Sequence, residues 1–275
     1  MNEKNDLSAR AAALIDAVRQ KTPLVHCITN YVTVNDCANI ALAFGASPAM
    51  IDDYDEAADF AALSSSLYVN IGTLSRYQET GILRAMLAAA TVKIPIVFDP
   101  VGCGAIPRRI AVLECLHAAA PIAIIKGNMG EIMALAGESA NVKGVDSAGD
   151  ADGIEEAARA LAQRHSCVVA ATGASDVVSD GSRTVRLHNG TPLLTKITGA
   201  GCMAGALCAA CAAATGDAFL AAITAVSALS IAGETAARTA ALPGSFRVAL
   251  LDAIAALDGQ TLGQKIRIGD ARPTR

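Results

Sequence analysis

The sequence predicts an α/β domain built on a mainly parallel central sheet with helices on both faces. Two observations carry this expectation. Short apolar runs that read as buried strands alternate with helical segments along most of the chain, the pattern of parallel strands joined by crossover helices. No Pro/Ser/Gly-rich linker and no repeat divides the 275 residues. One domain spanning 1–275 is therefore the economical expectation, and a domain of that size buries about three-quarters of its unfolded surface without staples.

Leu7–Gln20 has apolar residues at helical spacing and stops before Pro23, and Leu24–Ile28 is a short apolar run typical of a buried strand. Val34–Phe44 reads as a helix stopped by Gly45, and Pro48–Ile51 as a brief strand. Asp55–Leu63 is helical, Leu67–Ile71 is a strand closed by Gly72, and Gly81–Ala90 is a helix. Pro95–Asp99 is a buried strand, Arg108–Ala118 a helix, Ile122–Ile125 a strand and Met129–Ala136 a helix. Gly137–Asp150 is polar and glycine-bearing, which predicts a mobile loop. Gly153–Arg164 is a helix and Cys167–Ala171 a strand; Val177–Ser179 and Thr184–Leu187 flank Asp180-Gly181, a hairpin signal. Ala-rich helices follow Gly201 to about Leu257, and Lys265–Arg275 is expected to fray. Ligands of open parallel sheets bind beyond the carboxyl ends of the strands. The loops after Ile28, Ile71, Phe98, Ile125 and Ala171 are thus the place to look for chemistry.

Composition narrows the function classes. Hydrophobic residues make up 53% but aromatics only 3%, so alanine and the aliphatics must carry the core. A net charge of -4 gives no electrostatic footprint for nucleic acid or a membrane surface. The eight cysteines mostly lie in apolar or Gly/Ala-rich runs and no signal peptide precedes them. That points to free, buried thiols in a reducing cytoplasm. The most apolar region, Cys202–Ala232, is divided by Thr215-Gly216-Asp217. The resulting stretches fall short of the roughly 18–20 residues that span a bilayer, which predicts two buried helices.

Five segments can carry chemistry. Thr198-Gly199-Ala200-Gly201-Cys202 opens an Ala-rich helix. Its glycines let the backbone approach a ligand, and free amides at a helix start form an anion site over Gly199, Ala200 and Gly201. A tight turn packed for helix contact would use the same glycines. The segment lacks the GxxxxGK[ST] spacing, which disfavours a P-loop nucleotidase. Cys202 would be the first or second residue of that helix, where a thiol pKa is lowered and the group can act as base or nucleophile; a small packing residue is the plain alternative. Asp99, at the end of a buried strand before Pro100-Val101-Gly102, is placed to hold Mg²⁺ beside phosphates, or else to form a turn. Lys126 can neutralise nucleotide phosphate, while Asn128 and Glu131 have capping-box spacing; Glu131 can also order the metal's water. Thr172-Gly173 follows a strand and can bond phosphate or ribose, or simply turn the chain.

The fifth segment, His26 to Asp36, packs polar groups at the exit of the first strand. Asn30 can bind a substrate hydroxyl or ring nitrogen, Asn35 can cap the next helix, and Met50 can wall a substrate ring. Cys208 and Cys211 form a CxxC inside an Ala-rich helix without a second metal pair. The four histidines show no ligand spacing.

Taken together, these segments resemble the hydroxyethylthiazole kinase family, within the wider ribokinase-like fold. The resemblance rests on Pro23 to Thr33, Gly45-Ala46-Ser47-Pro48-Ala49-Met50, Asp99-Pro100-Val101-Gly102, Lys126-Gly127-Asn128 and Thr198 to Cys202, collinear from about Leu14 to Leu257. It implies transfer of the ATP γ-phosphoryl group to the hydroxyethyl arm of a thiazole alcohol in thiamine salvage, with Mg²⁺ as metal and a homotrimeric assembly. Carried onto matching positions, it implies that Asn30, Met50, Gly72 and Gly199 line the thiazole site. Lys126 and Thr172 would contact ATP, and Asp99 and Glu131 would organise Mg²⁺. Many relatives carry Arg where Lys126 stands, and Lys keeps the charge but loses the planar fork. Cys202 stands where many members of the superfamily have an Asp base. A kinase of a pyrimidine or pyridoxine-type alcohol, and a thiazole- or ATP-binding sensor without turnover, are the competing expectations.

Overall fold

The computed structural model describes residues 3–137 and 153–270. Its centre is one nine-stranded sheet. Strands β1 (Leu24–Ile28), β2 (Ser47–Ala49), β3 (Ser66–Asn70), β4 (Ile96–Asp99), β5 (Ile124–Asn128) and β6 (Val168–Thr172) are parallel, in the order β2-β1-β3-β4-β5-β6. The hairpin β7 (Asp176–Ser179) and β8 (Thr184–Leu187), then β9 (Ile268–Asp270), extend the sheet antiparallel beyond β6.

Alternation along the strands sorts side chains to two apolar layers. Tyr68, Ile124, Val168 and Ala170 face one cluster, whereas Leu67, Val69, Ile125, Val169 and Ala171 face the other. The first layer is roofed by α1 (Glu3–Lys21), α2 (Val34–Phe44), α8 (Ala200–Ala214), α9 (Ala218–Ala237), α10 (Pro243–Ala256) and α11 (Gly259–Lys265). The second is covered by α3 (Ala57–Leu63), α4 (Arg76–Val92), α5 (Pro107–Ala119), α6 (Met129–Ala136) and α7 (Ile154–His165). Alanine and glycine let α8 lie directly on the sheet. A Cβ at Gly205 would sit 2.5 Å from the Tyr68 ring, so α8 can cross this buried phenol only with glycine there.

Several sequence expectations are corrected. Residues Lys265–Asp270 do not fray: Lys265 ends α11 and Ile268–Asp270 pairs with β8, held also by Lys4 on Asp270. Residues 271–275 lie outside the described residues. Helix α4 starts at Arg76 rather than Gly81, because Ser75 and Gln78 form a capping box. Asn35 does not cap α2; Thr33 is the N-cap residue, and Asn35 instead accepts from Asn39 inside the helix. Strand β5 runs to Asn128, later than expected, so Lys126 is a strand residue. The apolar helix α9 is also longer than the sequence division suggested. At 20 residues it is long and apolar enough to cross a membrane, yet most of it is buried in the fold. The loop expected over 137–150 falls on undescribed residues beyond Gly137.

The parallel strands end at one edge of the sheet, with Asn70 beside Asp99 and Asn128 beside Thr172 in register. The start of α8 lies over the same edge.

Candidate active site

Gly199, Ala200 and Gly201 form the first turn of α8. Gly199 is the N-cap residue at φ 87, a left-handed conformation, and a Cβ there would meet the Thr33 methyl at 2.8 Å. Gly201 faces the cationic end of Lys126, since a Cβ there would lie 2.9 Å from Nζ. Lys126 in turn donates to Asp99 Oδ2 at 3.3 Å, and both side chains are buried. The glycine turn, the lysine and the aspartate therefore make one contiguous cluster.

Asp99 is fully buried. Its Oδ2 also accepts from the Tyr68 hydroxyl at 3.2 Å, while its Oδ1 has no hydrogen-bond partner among the described residues. Burial pushes its pKa up to about 6 even though Lys126 pulls the other way. An orphaned carboxylate oxygen in a polar cluster fits a hard cation, which takes oxygen ligands and keeps part of its water shell. Among the described residues no three His, Cys, Asp or Glu side chains converge as a closed metal cage, so phosphate and water oxygens would have to complete the shell. Glu131 already accepts from the backbone amides of Gly102 (2.7 Å) and Asn128 (2.8 Å). Its capping box with Asn128 fixes the start of α6 and ties it to the loop after β4. Each of its oxygens keeps a lone pair for a metal-bound water.

Cys202 is the third residue of α8, one position later than expected. Its thiol pKa is raised rather than lowered. Burial is the largest cause and the nearby Asp99 carboxylate adds to it, outweighing Thr33, Lys126 and Asn30. The helix start alone does not decide the charge of a sulfur removed from water. Two carboxamides aim at this sulfur: Asn30 Nδ2 at 3.4 Å and Asn70 Nδ2 at 3.2 Å. Asn70 Oδ1 accepts from Asn30 Nδ2 (2.9 Å) and from the Gly72 amide (3.0 Å). Gly72 packs on Asn30 so closely that a Cβ would come within 3.0 Å of it. Arg109 straps the two loops together, donating to Gly72 O at 2.8 Å and to Val101 O.

Met50 lies just beyond β2, half-buried against the apolar cluster that contains Tyr68 and Cys202. His26, kept neutral by burial, bonds Ile51 O at 2.7 Å and so pins this segment. Thr172 ends β6 with its hydroxyl on Gly127 O at 3.3 Å. The Met129 side chain fills the space a Cβ at Gly173 would need.

The turn after Thr172 is held by Asp176, which accepts from the Gly173 amide at 2.9 Å and from Ser230 at 3.5 Å. Burial raises Asp176 from 3.8 to about 7. The folded chain thus keeps a proton that the unfolded chain releases, and this group's contribution to stability falls as pH rises from about 4 to 7. Asp176→Asn keeps the oxygen that accepts from Gly173 and can donate its NH₂ to the Ser230 hydroxyl, without the ionisation. Its stability advantage over wild type is expected to grow by up to about 3 kcal/mol between pH 5 and pH 8. Urea titrations at the two pH values measure it, and an advantage that does not grow with pH contradicts the assignment.

The chain is also similar to known proteins. Residues 15–260 match the hydroxyethylthiazole kinase family. The chain belongs to that family. A hydroxyethylthiazole kinase from Clostridium kluyveri is 50% identical over 265 residues, covering 96% of this chain and 98% of the relative. The solved structure of the hydroxyethylthiazole kinase protein from Pyrococcus horikoshii superposes with a TM-score of 0.88 at 35% identity, covering 96% and 99% of the two chains. A ribokinase-like superfamily protein from Enterococcus faecalis shares the fold alone, with a TM-score of 0.62 at 11% identity, covering 91% and 93%. The fold is thus ribokinase-like, as the sequence predicts. Within this candidate site, sequence inspection passes over Asn70, Tyr68 and Arg109. A polar residue at a strand's carboxyl end, as for Asp99, is the signal that would have found Asn70. Tyr68 and Arg109 carry none.

Proposed function

We propose that this chain transfers the γ-phosphoryl group of ATP to the hydroxyl of 4-methyl-5-(2-hydroxyethyl)thiazole, a thiamine-salvage step. One observation carries the reading: the amides of the Gly199–Gly201 turn, the Lys126 ammonium and the unpartnered oxygen of Asp99 form a single cluster at the carboxyl edge of a parallel sheet. Phosphoryl transfer has a loose transition state, so positioning and charge stabilisation carry most of the rate. In this account the turn amides and Lys126 receive the charge that builds on the migrating group and the ADP oxygens. Asn30, Met50, Gly72 and Gly199 hold the thiazole alcohol, with Thr172 and Lys126 on the nucleotide side. Asp99, with Glu131 ordering water, would hold Mg²⁺, which supplies Lewis-acid neutralisation of phosphate oxygens when bound. We further propose a cytoplasmic homotrimer: the trimer is what the sequence resemblance implies, and the cytoplasm is what the free, mostly buried cysteines suggest. Exposed Tyr31, Val32, Leu242 and Val248 supply apolar surface for such contacts.

The alcohol oxygen forms its bond to phosphorus as the bond to the ADP oxygen breaks, and the hydroxyl proton must leave. Cys202 sits among the groups assigned to the alcohol; its raised pKa keeps most of it as the neutral thiol, so only its small thiolate fraction can accept the proton, which otherwise leaves on a phosphoryl oxygen or to water. We therefore assign it an assisting role. Cys202→Ser is expected to lower kcat by about 10²-fold, within the usual range of general-base assistance. A fall well beyond about 10⁴-fold in a steady-state assay would mark it as the dominant base. The reading as a whole is tested by incubating the protein with ATP, Mg²⁺ and the thiazole alcohol and detecting the phosphate ester by mass. Product with a pyrimidine or pyridoxine alcohol instead, or nucleotide binding without any product, would overturn it.

A further inference from the structure

Asn70 spends every polar valence of its carboxamide inside the candidate site. Its Oδ1 accepts from the Gly72 amide and from Asn30 Nδ2; its Nδ2 donates to Tyr68 Oη at 2.9 Å and to Cys202 Sγ at 3.2 Å. The orientation is not interchangeable. The Gly72 backbone N–H can only donate, so it fixes the Asn70 oxygen on its side. The same holds for Asn30, whose Oδ1 accepts from the Thr33 amide at 3.1 Å. Both NH₂ groups are thereby directed at the sulfur by backbone donors on two different loops. Tyr68 Oη continues the chain of contacts to Cys202 O at 3.0 Å and to Asp99 Oδ2. Asn70 is also the register partner of Asp99 on the neighbouring strand, and it is almost wholly buried. A buried carboxamide with all its groups satisfied specifies one geometry, and losing a single partner strands the others.

We propose that Asn70 is a positioning residue for phosphoryl transfer, holding the Cys202 sulfur in fixed relation to the Gly72 and Gly199–Gly201 turns. The inference rests on the kinase reading and deepens it. Asn70 acts through Cys202, so its effect belongs to the chemical step and not to nucleotide binding.

The test is a double-mutant cycle on the full-length chain, with kcat and KM for ATP and for the thiazole alcohol. Asn70→Ala is expected to lower kcat about 10- to 100-fold, the cost of a small misplacement of reacting groups, with KM for ATP within about twofold of wild type. In a Cys202→Ala background the same change is expected to cost less than about threefold, because the sulfur it positions is gone. Asn70→Ser keeps a polar group near Gly72 but cannot reach the sulfur; it serves where the alanine variant fails to fold, and the same pattern is expected. An equal loss of kcat in both backgrounds would overturn the proposal, as would a loss confined to KM for ATP. Absence of the phosphate ester with the wild-type chain would instead overturn the kinase reading itself.

Discussion

Asp99→Asn is expected to lower phosphoryl transfer by about 10³-fold and to raise the Mg²⁺ concentration needed for half-maximal rate. The substitution is nearly isosteric, so the fold should tolerate it. The electrostatics change completely. Asp99 Oδ2 faces Lys126 Nζ and the Tyr68 hydroxyl, and Oδ1 faces no donor among the described residues. An asparagine either turns an NH₂ toward those two donors or presents it where a cation would sit. Either choice removes the negative charge that attracts a metal, and Lys126 is left buried beside a neutral group. Rates measured across an Mg²⁺ titration separate the outcomes. An unchanged Mg²⁺ dependence would return Asp99 to the turn before Pro100.

Gly199→Ala should rank second, with kcat lowered by about 10²-fold and a destabilisation of about 1–2 kcal/mol. Two causes add at this position. The backbone is left-handed at φ 87, and the new methyl would meet the Thr33 side chain at 2.8 Å. Thr33 cannot easily yield, since it is buried and its own amide is held by Asn30. The turn must therefore move, and the amides at the start of α8 move with it. Steady-state kinetics and a thermal melt read the two effects separately. A variant with wild-type kcat would show that the turn amides do not touch the migrating group.

Much of the fold was legible because it depends on local patterns. Val34–Phe44 and Met129–Ala136 match the helices residue for residue, since Gly45 and Gly137 cap them in left-handed conformations. The hairpin at Asp180-Gly181 was equally plain. What the sequence hid depends on contacts far apart in the chain. The pairing of Ile268–Asp270 with β8 needs a partner about 80 residues earlier, so the tail looked unanchored. The burial that raises the Cys202 thiol comes from packing the start of α8 on the sheet, with Asp99 adding to it, whereas the glycine turn alone suggested the opposite shift. Lys126 read as a group to neutralise nucleotide phosphate, but its burial against Asp99 at the glycine turn was not legible, since it depends on a neighbouring strand and on α8. Arg109 carries no sequence signal, because its role lies in bonding the loops after β3 and β4 to each other.

The most direct test is a crystal structure with Mg²⁺, a non-hydrolysable ATP analogue and the thiazole alcohol bound together. The terminal phosphate is expected within hydrogen-bond reach, about 3 Å, of backbone amides at the start of α8, with the cation against the Asp99 carboxylate. A terminal phosphate bound away from that turn, with Asp99 still paired only to Lys126 and Tyr68, would contradict this placement.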